Sequence, residues 1–238
     1  MTHKVHAPDR QALWTQVRLG VPMGLTILID VSGFALMAVF IARMGTTAVA
    51  GHQIAANLVS LMFMMPMAIA NASSTLVAQR IGAGDEDDAH RVGWHGLEIG
   101  LAIAALMGSL VYLLREPILG LYTGEAAVVA AALPLLAWVP VFHVFDAAQT
   151  IAAFVLRAYR IAIVPMVIYA LAIWGMGLGG GYLVAFDVTG HTPAPLKGAV
   201  GMWSTATLGL VLAGSGMTLF LAWMIRSRRR QAVHPAAA

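Results

Sequence analysis

A chain of 238 residues that is 60% hydrophobic and 11% charged, with a mean hydropathy of +0.81, stands apart from soluble domains, which are about 45–50% apolar and about 25% charged. So thin a polar coat excludes an ordinary globular fold and points to an all-α polytopic membrane protein whose first partner is the lipid bilayer. Zero cysteines exclude a disulfide framework and thiolate metal sites; the formal charge of +3 does not indicate nucleic acid, because Arg226, Arg228, Arg229 and Arg230 cluster just after the last apolar run.

Residues 1–18 are polar and are read as a retained cytoplasmic segment, since the first apolar run is too long for the core of a signal peptide. Crossing the hydrocarbon takes about 20 apolar residues. Six runs qualify, 19–42, 50–78, 92–114, 127–156, 161–186 and 199–225, together a membrane lobe over 19–225, followed by a basic tail, 226–238. Six spans put both termini on one side, with the connections 80–91 and 157–160. That side holds 11 of the 14 lysines and arginines, which places both termini in the cytoplasm.

The first span poses the sharpest question. Between Arg18 and Arg43 the only charge is Asp30, close to the midpoint of TILIDVSGFALM. An ionised Asp at the bilayer centre costs about 2.5–3.5 kcal/mol on insertion scales. With no lysine or arginine at matching depth, Asp30 must be protonated, bind a cation or face water. Proton and cation would then compete for the same oxygens, as a coupling site requires. The structural alternative is a carboxylate hydrogen-bonded to a neighbouring helix.

In the second span, GHQIAANLVSL offers His52 as a cap or interface group. Gln53 and Asn57, one turn apart, are candidates for substrate contact or helix glue, as is Asn71. Met64, in LMFMMPM, is a candidate for an adaptable apolar lining or for plain packing. Pro66 interrupts this span, Pro134 and Pro140 the fourth and Pro165 the fifth. Each is either a hinge or a bend in a packing helix. The polar connection RIGAGDEDDAHR holds DEDD, 85–88, expected as a solvated loop. Glu98 lies near the cytoplasmic end of the third span and is expected to snorkel or pair with Arg91. In the fourth, VFHVFDAAQTIAAF sets His143 and Gln149 three residues either side of Asp146. The three share one helical face, expected to look into the bundle. Glycines of GMGLGGGY, 175–182, let backbones approach closely and loosen the fifth helix. The stretch 187–197 is a turn-rich loop. Neither a phosphate loop nor HExxH nor GxSxG occurs. The chain is read as a non-enzyme driven by an ion gradient or by another subunit.

Several of these pieces, taken in order, resemble the multidrug and toxic compound extrusion (MATE) family of cation-coupled antiporters. They run from LGVPMGLTILIDVSGFALMAVFIARMGTTAVAGHQIAAN through RIGAGD, REPILGLYT and FDAAQTIAAFVLRAYR to WGMGLGGGYL. The match extends from about Leu19 to Met224 but covers only the second half of a typical member, which has twelve spans in two six-helix lobes. The resemblance implies that Asp30 and Asp146 bind the coupling ion, Na⁺ or H⁺, with no other cofactor. It implies exchange of that ion for amphipathic, often cationic drugs across a bacterial inner membrane. The segment around Arg157 and Tyr159 reads LRAYRIA where the family usually has LRGYKDT, and the glycine-rich run lacks the family's proline. Because rocking one lobe against another is how such transporters cycle, an N-terminal lobe or a second copy is expected as partner. The alternatives are a non-transporting scaffold and a homodimeric half-transporter.

Overall fold

The computed structural model describes residues 9–233; the outer parts of the expected terminal segments lie outside these. Helices dominate the described chain, with irregular connections such as 186–193. Its elements are α1 (Arg10–Ala42), α2 (Thr46–Gly82), α3 (Glu86–Leu113), α4 (Arg115–Tyr122), α5 (Ala126–Leu136) and α6 (Val139–Ala158). There follow α7 (Ile163–Ala170), a π-helical segment (Leu171–Gly180), α8 (Gly181–Ala185), a 3-10 turn (Ala194–Leu196) and α9 (Ala199–Val233). Among the described residues, six helices are long and apolar enough to cross a membrane. They form one lobe.

Helix ends correct several sequence expectations. Asp9 caps α1 by accepting from the Gln11 backbone N–H at 2.9 Å, so the helix starts at Arg10, inside the segment expected to precede the first span. DEDD is not a solvated loop. Asp85 caps α3, accepting from the Asp88 N–H at 3.0 Å, and Glu86, Asp87 and Asp88 fill its first turn, where carboxylates complement the helix dipole. The turn before it is possible because Gly84 takes φ +78°, a left-handed conformation open to glycine. The tail is not separate either, since α9 runs on to Val233. Its extension is held by ion pairs, Arg228 to Glu86 at 3.5 Å and Arg229 to Asp87 at 3.7 Å.

The expected fourth span, 127–156, is two helices. The chain breaks at Ala137 and Trp138, and α6 alone is the membrane-length element. Pro140 therefore sits in the first turn of α6 and Pro165 in the first turn of α7. In that position the missing N–H costs no helical hydrogen bond, so neither is the interior interruption the sequence implied. Pro66 does lie inside α2, buried and without breaking it.

The centre of the lobe is α6, packed chiefly against α2, α9 and α3. Ile151, Val155 and Leu156 of α6 join Trp203, Met217 and Leu221 of α9 in a fully buried core. Close packing depends on small residues: a Cβ on Gly108 would lie 2.8 Å from the Pro140 Cα. By contrast α1 leaves Ile27, Leu28 and Val31 about 60% exposed. Such faces are stable against hydrocarbon, where apolar side chains need no protein cover.

Candidate functional site

Asp30 of α1 and Asp146 of α6 line the same small cavity. Phe34, Met37, Phe142, Tyr169 and Ile173 complete most of its wall, and Gly177 with Leu178 comes from the π-helical segment. Its volume of about 30 Å³ is above the roughly 10–15 Å³ a water needs and suits a small cation or a water or two. No lysine or arginine lines it.

Each carboxylate is held by one further side chain. The Tyr169 hydroxyl donates to Asp30 Oδ1 at 2.5 Å. Gln149 Nε2 donates to Asp146 Oδ1 at 3.2 Å and to Thr150 Oγ1 at 2.9 Å. The two bonds leave carboxylate lone pairs free for a third party. With two acids facing one apolar chamber and no basic side chain, electroneutrality has to be supplied by protons or a bound cation.

The fifth span shapes the wall because its register changes. From Leu171 to Gly180 it is π-helical, a wide turn that frequently marks functional sites. Glycines 175, 177, 179 and 180 offer no side chains to crowd it, which is the local form of the loosening expected of GMGLGGGY. Thr205 of α9 donates to the Gly177 carbonyl at 3.2 Å. Gly209 lets α9 come close, since a Cβ there would lie 2.6 Å from the Ala172 carbonyl oxygen. Trp174 Nε1 donates to the Ile29 carbonyl at 3.3 Å, tying this segment to α1 beside Asp30.

The other sequence candidates are placed elsewhere. His143 and Gln149 share the buried face of α6 with Asp146, yet neither lines the cavity. Neither ring nitrogen of His143 finds a partner among the described residues. Gln53, Asn57 and Met64 lie exposed on α2 and do not line the cavity of the two acids; Asn57 accepts from the Tyr122 hydroxyl at 2.9 Å. Asn71 does not glue helices, since its amide donates to Met67 of its own helix at 2.9 Å. His52 is an interface group, accepting from Trp203 Nε1 at 3.2 Å. Glu98 bonds His95 at 3.2 Å, whereas Arg91 approaches Asp88 at 3.7 Å, because three residues on a helix meet more closely than seven. Tyr169 was missed by sequence reasoning. Its only signal was a phenol inside the apolar run IAIVPMVIYALAIW.

The MatE family model matches residues 22–183, more than half of the chain and all of the segments that build the cavity except α9. The chain belongs to the MatE family. Its relatives include the probable multidrug resistance protein NorM of Aromatoleum aromaticum, 39% identical over 219 residues, covering 92% of this chain and 46% of that protein. They also include the multidrug resistance protein MdtK of Pectobacterium atrosepticum, 36% identical over 220 residues, with 92% and 47% covered. The fold is that of a MATE crystal structure in the bent conformation, with a TM-score of 0.86, 16% identity, and 98% of this chain against 50% of that one. A Vibrio cholerae MATE transporter, VcmN, also in the bent form, matches with a TM-score of 0.75 and 19% identity over 90% of this chain and 46% of its own. This MatE chain thus spans about half the length of the curated relatives it matches, and corresponds to their C-terminal lobe. It is a membrane protein of a transporter family with bacterial members.

Proposed function

We propose that this lobe is the ion-coupling half of a multidrug efflux antiporter in a bacterial inner membrane, with both termini in the cytoplasm. The observation that carries the reading is the meeting of Asp30 and Asp146, 116 positions apart in sequence, in one chamber without a basic side chain. Na⁺ or H⁺ entering from outside binds there, and its binding shifts the lobe toward the state that releases an amphipathic, cationic drug. The exposed α2 face with Gln53, Asn57 and Met64 would line the drug cleft when a second lobe, or a second copy of this one, stands opposite. The names of the relatives support multidrug transport.

The test is drug efflux in inverted vesicles containing this chain with a complementing N-terminal lobe. Asp30→Asn and Asp146→Asn should each abolish cation-dependent efflux while protein level stays constant. Unchanged ion dependence in both variants would overturn the coupling role. Absence of efflux even from the unsubstituted assembly would favour the scaffold reading, and cross-links between two copies through the α1 and α2 faces would favour the homodimer.

A further inference from the structure

A second cavity lies at the end of the bundle where the described chain begins. Trp14, Arg18 and Leu19 of α1 face the turn after α6 and the start of α7, Arg160 to Val164, across a groove of about 420 Å³. Arg18 stands at the edge of the membrane. From it to Arg43 the helix rises about 37 Å, against about 30 Å of hydrocarbon. Trp14 is one turn further out and 67% exposed, where amphipathic rings favour the interface.

Charge is the first feature of this groove. At the same end Arg80 and Arg91 pair with Asp88, and Arg228 and Arg229 with Glu86 and Asp87. Arg18 and Arg160, like Arg10, Arg157, Arg226 and Arg230, have no ion-pair partner among the described residues, but only these two line one groove; Asp9, the acid nearest in sequence to Arg18, caps α1. The acids that form ion pairs at this end, Glu86, Asp87 and Asp88, all belong to α3, so the two cations that line the groove share it without a carboxylate.

Backbone strain is the second. Arg160 has φ +61°. Its N–H donates to the Arg157 carbonyl at 2.8 Å and the Ile161 N–H to the Leu156 carbonyl at 3.0 Å, the hydrogen bonds of a glycine-type helix terminus. A non-glycine residue there is disfavoured by roughly 1–2 kcal/mol, so the guanidinium occupies a place where glycine would fold more easily. Ile163 and Val164 beside it are exposed and give the groove an apolar wall running toward the hydrocarbon.

We propose that this groove binds an anionic phospholipid, with its phosphodiester between Arg18 and Arg160 and its first acyl carbons along Leu19, Ile163 and Val164. Basic pockets between spans at a membrane surface hold lipid headgroups in this way, and an apolar wall next to the cations serves a lipid but not a soluble anion. The site depends on the membrane placement of the bundle and not on drug transport, so loss of one leaves the other standing.

The full chain in neutral detergent is titrated with dioleoylphosphatidylglycerol or dioleoylphosphatidylcholine, and bound lipid is counted by native mass spectrometry. Phosphatidylglycerol should bind more tightly than phosphatidylcholine. Arg160→Gly, which suits the backbone, and Arg18→Gln should each weaken phosphatidylglycerol about fivefold and leave phosphatidylcholine unchanged. Arg226→Gln, an exposed arginine outside the groove, should have no effect. Equal binding of the two lipids would overturn the proposal, as would losses no larger than that of Arg226→Gln. Displacement of the lipid by soluble glycerol 1-phosphate at equal concentration would point to a free-anion site and overturn it too.

Discussion

The helices α1 and α6 each bring one carboxylate to the same cavity, yet their surroundings differ sharply. In the most apolar stretch of α6, 72% of residues are buried inside the lobe; in that of α1 the share is 17%. Asp146 therefore sits on the axis around which the bundle is packed, steadied by Gln149 of its own helix. Asp30 sits on a peripheral helix and is steadied from outside, by Tyr169 of the fifth span. The contrast teaches that one acid is fixed by packing and the other by a single cross-helix bond.

The largest expected effect tests the packed side. Leu156→Ala, at a fully buried position of α6, should destabilise the lobe by about 2–5 kcal/mol, read as a fall in the thermal midpoint in detergent. Retained stability there would remove α6 as the axis. Next, Tyr169→Phe removes the hydroxyl that holds Asp30 while keeping the ring. A hydrogen bond to a charged group contributes about 1.5–3 kcal/mol, so the variant should lower the thermal midpoint by less than Leu156→Ala does and, at the coupling site proposed above, change cation affinity by about tenfold. An unaltered cation titration would mean that the bond does not set the position of Asp30.

Smaller effects sharpen the same contrast. Leu28→Ala on the open face of α1, 60% exposed, should shift stability by less than about 0.5 kcal/mol. A loss approaching that of Leu156→Ala would show that α1 is covered by protein in the membrane. The smallest effect belongs outside the bilayer. Lys197 Nζ, 2.6 Å from Asp187, with the Thr192 N–H donating to the same carboxyl at 2.8 Å, holds the Asp187 carboxyl below its ordinary value of 3.8. Its contribution is present above that ordinary value and is lost as pH falls through the lowered one. Exchange protection of the Thr192 amide should therefore persist at neutral pH and fade only below about pH 4, with α1 and α6 unaffected.

How much was legible follows from what each residue's environment depends on. Membrane residence, six spans and the oddity of Asp30 were readable because they are properties of a linear run: length, hydropathy and a charge without a basic neighbour. The polar face of α6, His143 with Asp146 and Gln149, was readable from helical spacing. Span four was read as one helix because apolarity persists through Ala137 and Trp138, and hydropathy does not register a break in hydrogen bonding. DEDD was read as loop because carboxylates in a first helical turn carry the same composition as a solvated one.

The sequence by itself determined that two acids must be stabilised at depth, since hydrocarbon offers them neither water nor a basic partner. Only the tertiary structure decided that they share a chamber, that Tyr169 holds one of them, and that Arg18 faces Arg160 across an open groove. The physical reason is range. Burial cost and helical period act within a turn or two of chain, whereas the meeting of α1, α6 and α7 depends on how whole helices pack, and that involves close approaches at small residues such as Gly108 and Gly209, remote in sequence from both acids.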